Sequence, residues 1–245
     1  MSTNSLENQR VVVIGGSSGI GFAVARHALA EGASVIIGSS NAANVDGATL
    51  RLGAGATGYV VDVRDESSVA DFFAHVGTFD HLVFTAGDWG ANRGGGAIAE
   101  LDLAGANATF TVRFWGALAA IKHAQGRISP AGSVTVTDGV IAHRPRKGAA
   151  LSTAMAGAIE HLTHALAVDL APLRVNCVCP GFVLTEVWDS IPEDQREARI
   201  QRMTERQPLP RAGDPAEVAE AYLYLMRGGF TTGQVLIVDG GMALI

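Results

Sequence analysis

Gly15, Gly19 and Gly21 fall within the stretch VVVIGGSSGIG, where an apolar run gives way to a helical pattern. A strand, a glycine loop and a helix in that order aim backbone N–H groups and the positive helix end at one point, which suits a pyrophosphate. Ser17, Ser18 and Ile20 complete the loop, whose G-x-x-x-G-x-G spacing differs from the G-x-G-x-x-G dinucleotide fingerprint. The end of the second apolar run is the next informative place. An acid there would bind a ribose 2′-hydroxyl and repel a 2′-phosphate. Ser39, Ser40 and Asn41 stand there instead, all neutral donors, and the first acid is Asp46. The pattern favours NADP(H); NAD(H) is the alternative, because no arginine accompanies the serines.

These residues need a scaffold that brings loop ends together, and the rest of the chain reads as one. RVVVIGG is a buried strand, and IGFAVARHALAEG is a helix closed by Gly32. ASVIIGSS and ATGYVVDV follow as strands, then ESSVADFFAHVG as a helix and FDHLVFTAG as a strand. A glycine-rich loop over 88–97 precedes a long helical pattern from Leu103 to Gln125, and GSVTVTDG is the fifth strand. Leu151, Met155, Ala158, Ile159, Leu162 and Leu166 recur at helical spacing, and LRVNCVCPG is a sixth strand. Residues 182–206 form an irregular, partly helical insertion. Asp214, Pro215 and Glu217 then write the start of a helix as N-cap, N1 and N3, before the closing strand GQVLIVDGG. Alternating strands and helices predict an α/β fold, a Rossmann-type doubly wound sheet of about seven parallel strands covered on both faces. No repeat or composition break divides it, so one dinucleotide-binding domain over 1–245 is expected, with 1–9 a flexible tail and 182–206 a lid over the substrate.

Composition agrees. The 245 residues, 48 % hydrophobic and 17 % charged, are enough to bury a large core without disulfides. The net charge of −6 and the lack of a long basic run argue against nucleic acid. Arg144, Arg146 and Lys147 make only a short basic cluster. Cys177 and Cys179 lie inside an apolar run and read as reduced thiols; two cysteines supply no metal framework. The polar start MSTNSLENQR is not a signal peptide, and no apolar run is long enough to span a bilayer, so a soluble, cytoplasmic protein is expected.

Taken with GGSSGIG, the motifs VDV at 61–63, TAG at 85–87, RVNCVCPGFVLTEV and VDGG give a pattern that resembles the short-chain dehydrogenase/reductase family over nearly the whole chain. The resemblance implies that Asp62, followed by Val63, recognises adenine, and that Ala86 and Gly87 line the cofactor ribose. It implies that Pro180, Gly181, Val183 and Thr185 hold the nicotinamide end. It also implies a small-molecule substrate and a homodimer or homotetramer, paired through the long helices that contain Phe114 and Ile159.

Family enzymes transfer a hydride while a tyrosine moves the proton, a lysine four residues on lowers its pKa, a serine holds the substrate oxygen and an asparagine supports a proton relay. Aligning EHLTHALAVDLAPLRVN with the family helix puts Ser152 at the tyrosine position, Ala156 at the lysine position, Gly139 at the serine position and Arg113 at the asparagine position. Tyr59, Tyr222 and Tyr224 are the three tyrosines and Lys122 and Lys147 the two lysines, so no shift of register restores the set. Arg113 and Asp138 add functional groups near this space. An arginine polarises a carbonyl or grips a carboxylate, and a carboxyl in a dry pocket keeps its proton near neutral pH. The competing reading is a salt bridge between them that fills vacated volume. His143, Lys147 and Trp188 could reach a substrate, or be loop and packing residues. Three functions follow: an oxidoreductase with an altered acid, acting on a small carbonyl, alcohol or iminium; a cofactor-binding protein without turnover, as sensor or silent subunit; and a non-redox lyase or dehalogenase, which would not need the intact cradle.

Overall fold

The structure is a computed structural model that describes residues 5–87, 96–103 and 105–245. Most of the loop expected over 88–97 lies outside the described residues. Seven strands form one parallel sheet: β1 (Arg10–Ile14), β2 (Ser34–Ser39), β3 (Ala56–Val60), β4 (Phe79–Phe84), β5 (Ile128–Thr137), β6 (Arg174–Pro180) and β7 (Val235–Val238), in the order β3-β2-β1-β4-β5-β6-β7. Val12 pairs in register with Ile36 on one side and Leu82 on the other, so the order reverses beside β1. The expected doubly wound sheet is what forms.

Helices α1 (Gly19–Ala30) and α8 (Pro215–Arg227) cover one face, where Val24, Tyr222 and Leu225 meet Val11, Val13 and Val178. On the other face, α3 (Glu66–Val76), α5 (Gly116–Ala124) and α6 (Ala150–Asp169) enclose Phe72, Phe73, Phe84 and Ile159. The caps read in the sequence of α8 form as expected: Asp214 Oδ1 accepts from Ala216 N at 2.7 Å, and Glu217 Oε2 accepts from Asp214 N at 2.9 Å.

Four elements differ from the sequence reading. A helix, α2 (Ala42–Leu52), stands between β2 and β3; Gly47, Asn44 and Asp46 weaken its local signal, and only Val45 and Ala48 are buried. β5 starts at Ile128, four residues before the run read as strand. The pattern over 103–125 is not one helix: α4 (Ala108–Phe110) passes through a π-helical stretch, Thr111–Trp115, into α5. The expected tail is anchored from Leu6 onward, since Leu6 is fully buried and Gln9 Oε1 contacts Nε2 of buried His81 at 2.5 Å. The insertion resolves into a short 3-10 turn, Glu186–Ser190, and α7 (Glu193–Thr204). Its stem is fastened where Val183 bridges Gly213. Among the described residues, no helix is long and apolar enough to cross a membrane.

Candidate active site

The glycine loop lies at the carboxyl end of β1, where two of its glycines have no substitute. Gly15 has φ +92°, and a Cβ there would lie 2.5 Å from Ala86 N; one on Gly21 would lie 2.3 Å from the Gly15 carbonyl oxygen. Such crowding admits only glycine and lets the loop fold tightly against Thr85 and Ala86 at the end of β4. Ser18 is the α1 N-cap, with its side chain making no capping bond, and Ile20 packs into the α1–α8 core. The N–H of Gly19 donates to Glu186 Oε2 at 2.8 Å. A carboxylate oxygen thus stands where a phosphate oxygen would be received, and the cradle fits an anionic dinucleotide.

Beside the loop, Ser17 and Ser39 hydroxyls are 3.0 Å apart. Ser40 is exposed, and Asn41 caps α2 through Asn44 N. An arginine also reaches this place. Arg51, on the last turn of α2, stacks 4.1 Å from the Phe22 ring centroid and donates to the Ser17 carbonyl at 3.1 Å. The local sequence shows none of this, because the arginine arrives by way of the unrecognised helix. Farther along the sheet edge, Asp62 is held by Arg64 at 2.7 Å, which keeps its carboxyl below the usual range. Val63 packs against Gly116, and Gly181 lies so close to Asp239 that a Cβ would sit 2.6 Å from its Cα. Pro180 is buried at the end of β6, Val183 pairs with Gly213, and the Thr185 side chain faces Gly19.

Arg113 lies in the π-helical stretch, and the wider turn carries it to the ends of β4 and β5. Its guanidinium covers Gly87, where a Cβ would be 2.7 Å from Nη2, and Nη1 donates to the Asp138 carbonyl at 3.1 Å. The Asp138 carboxyl faces elsewhere. The residue is 1 % exposed, and its carboxyl lies with Glu160 of α6 and the thiols of Cys177 and Cys179 on β6. Neither carboxyl oxygen meets a hydrogen-bond donor of good geometry among the described residues. Burial first, then the neighbouring Glu160 carboxyl, push this carboxyl up to about 7. Burial and Asp138 likewise hold both thiols in the protonated form. His143 Nε2 is 2.7 Å from Glu160 Oε1, with side chains 33 % and 12 % exposed. Beside Asp138, a Cβ on Gly139 would meet nothing within 4 Å, so open space adjoins the carboxyl-bearing residue.

Ser152 lies on the first turn of α6 and Ala156 is buried one turn later. Tyr222 is fully buried and bonds Thr137 Oγ1 at 2.7 Å, Tyr59 is on β3, and Tyr224 is on the outer side of α8. Lys122 pairs with Glu66 at 2.6 Å.

A family model described as Enoyl-(Acyl carrier protein) reductase matches residues 14–243, from the end of β1 past β7. The chain belongs to the short-chain dehydrogenase/reductase family. The short-chain dehydrogenase/reductase ucsE of Acremonium sp is 36 % identical over 98 % of this chain and 97 % of its own length. The structure of the MalC Reductase/Diels-Alderase from Malbranchea aurantiaca superposes with a TM-score of 0.92 at 32 % identity, covering 100 % of both chains. A small-chain dehydrogenase in complex with NADPH superposes with a TM-score of 0.83 at 31 % identity, covering 98 % of this chain and all of that one.

Within this short-chain dehydrogenase/reductase, the residues expected around the cofactor lie past the carboxyl ends of β1, β2, β3, β4 and β6. Arg113 and Asp138 meet, although through a carbonyl and not as the salt bridge weighed from sequence. His143 is engaged with Glu160, and Trp188 packs edge-on against Phe182 at 4.8 Å, a packing role. Ile159 lies wholly in the core; the exposed apolar residues on the outer side of these helices are Trp115 and Val168. Arg51, Glu186 and Glu160 are the site residues that sequence reasoning missed.

Proposed function

We propose that this chain is an NADP(H)-dependent reductase of a small carbonyl or iminium substrate, in which Arg113 and Asp138 take the place of the tyrosine–lysine pair. The observation that carries the reading is Arg113, laid across Gly87 and bonded to the backbone carbonyl of Asp138 where β4 and β5 end. Ser17, Ser39 and Arg51 supply two hydroxyls and a cation suited to a 2′-phosphate, and the glycine loop suits the pyrophosphate. Bound NADPH supplies the hydride. Arg113 polarises the substrate oxygen or holds a substrate carboxylate in a fork. Asp138 holds a proton at its enclosed carboxyl near neutral pH and supplies it when that carboxyl turns from the interior toward the strand ends. An iminium carbon is already cationic and needs no such proton. The full-length likeness to a protein described as a reductase and Diels-Alderase supports reduction. The 182–206 segment covers the substrate, and the protein pairs as a homodimer or homotetramer through its long helices.

The test is a titration with NADPH and NADH, followed by NADPH oxidation across carbonyl and imine substrates. NADPH binds more tightly than NADH, and Arg51→Gln narrows the difference. Arg113→Ala lowers kcat/KM by roughly tenfold or more. Failure to bind either nucleotide overturns the reading. A cofactor-binding protein without turnover is the second reading. The enclosure of the Asp138 carboxyl favours it, and binding without oxidation across the panel decides for it.

A further inference from the structure

We propose that His143, Glu160 and Cys179 form a site for one divalent transition-metal cation of the zinc type, with Asp138 as the carboxylate beside it. Their ligand atoms, an imidazole nitrogen, a carboxylate oxygen and a thiol sulfur, all lie within 4.8 Å of one another. Each comes from a different element. His143 ends the 3-10 turn Val140–Ala142 that follows β5, Glu160 belongs to α6, and Cys179 to β6. Two cysteines by themselves supply no metal framework; the fold completes one around Cys179 with residues distant in sequence. The site does not depend on the reductase reading.

Strand register brings Asp138 to the same place. Val136 pairs with Cys177, and both lie in the core beneath α6. The Asp138 N–H continues the ladder to the Val178 carbonyl at 3.2 Å, so alternation turns the side chains of Asp138 and Cys179 toward that same face. Asp138 is 1 % exposed, and neither of its carboxyl oxygens meets a hydrogen-bond donor among the described residues. Glu160 Oε1 is buried in the same condition, since His143 Nε2 lies 2.7 Å away but off the line of a hydrogen bond. Buried carboxyl oxygens without donors are costly, and a cation beside them supplies the missing partner.

The donor set selects the ion. A thiolate, an imidazole and a carboxylate together suit Zn²⁺, whereas Mg²⁺ and Ca²⁺ take oxygen ligands. Three protein ligands leave the fourth corner of a tetrahedron to water. Zinc bond lengths set neighbouring ligands about 3.3 to 3.8 Å apart, so His143, on its exposed loop, gives way by about 0.6 Å from Glu160. Without an ion, burial and then Asp138 keep the Cys179 thiol protonated. A dication reverses that balance: the S–H bond breaks, the sulfur binds the metal, and the proton leaves to solvent. Ion and proton are alternatives at this cluster, and no electrons move. Metal-free protein keeps the proton that the reductase reading gives to Asp138. A bound ion pins the turn after β5 to α6 and β6.

The test starts from metal-free protein, titrated with Zn²⁺ by calorimetry in excess Mg²⁺ and with Co²⁺ by absorption. One Zn²⁺ binds per chain and releases at least one proton, read from the dependence of the heat on the buffer. Co²⁺ gives the visible bands of a tetrahedral site and a near-ultraviolet thiolate band, which Cys179→Ser removes. His143→Ala, a loop change that leaves the core intact, weakens Zn²⁺ binding by roughly a hundredfold, and Asp138→Asn by roughly tenfold. The melting temperature of the unaltered protein rises with Zn²⁺ concentration, and that of His143→Ala does not. Weak binding at several positions that His143→Ala leaves unchanged overturns the site. A cobalt spectrum without the thiolate band does so too, as does displacement of Zn²⁺ by Mg²⁺. None of these readouts needs turnover, so their failure leaves the reductase reading standing, and a lack of NADPH oxidation leaves the metal site standing.

Discussion

The buried Asp138 carboxyl is held away from its ordinary ionisation, and that leaves a mark on stability. An aspartate titrates near 3.9 in an unfolded chain, whereas this one is pushed up to about 7 by burial and then Glu160. Between those values the folded state binds the extra proton. The stability tied to that proton is complete below about pH 4 and is lost as the pH rises through 7. Asp138→Asn carries no such dependence. Its stability relative to the unaltered protein therefore rises from pH 5 to pH 8, by an amount on the order of 3 kcal/mol, and unfolding measured at both pH values checks this. A flat difference across that range would mean that Asp138 is ionised in the fold. Arg113 and Asp138 were legible in the sequence because each puts a functional group where strand ends converge. Arg51 and Glu160 were not. Arg51 binds a carbonyl 34 positions away, and a lone arginine on a weakly patterned helix gives no sign of that.

Among elements, the legible ones state their own boundaries locally. Asp214, Pro215 and Glu217 fix the start of α8 without reference to the rest of the chain. α2 escaped notice because it buries two residues and interrupts its own pattern with Gly47. The π-helical stretch escaped because an extra residue in a helix looks like a continuing apolar pattern until its backbone bonds are traced. The 3-10 turn after β6 raises a separate expectation, since its Glu186 occupies the N–H of Gly19. A dinucleotide phosphate must displace that carboxylate. Glu186→Gln removes the competing anion and tightens NADPH binding by roughly two- to fivefold, with the gain shrinking at high salt, as calorimetric titration would register. Weaker binding would make Glu186 a partner of the cofactor instead of its rival.

For the whole molecule, alternation of apolar runs and helical patterns was enough to anticipate the seven-stranded parallel sheet, because its inner strands are buried on both faces and rich in apolar residues. The anchoring of Leu6 was not legible: a single leucine in a polar stretch does not announce the groove that receives it. The strand order has one further result. It reverses beside β1, and there Gly15 of one half lies against Ala86 of the other with no room for a side chain between them. A dinucleotide seated over that seam touches both halves at once and acts as a clasp. Melting should then follow mass action, with NADPH at about a hundred times its Kd adding about 2.7 kcal/mol. For a chain of this length that corresponds to roughly 2 to 4 °C for each kcal/mol. The two halves of the sheet should still melt in a single transition, at a temperature set by nucleotide concentration as much as by the packing beneath it.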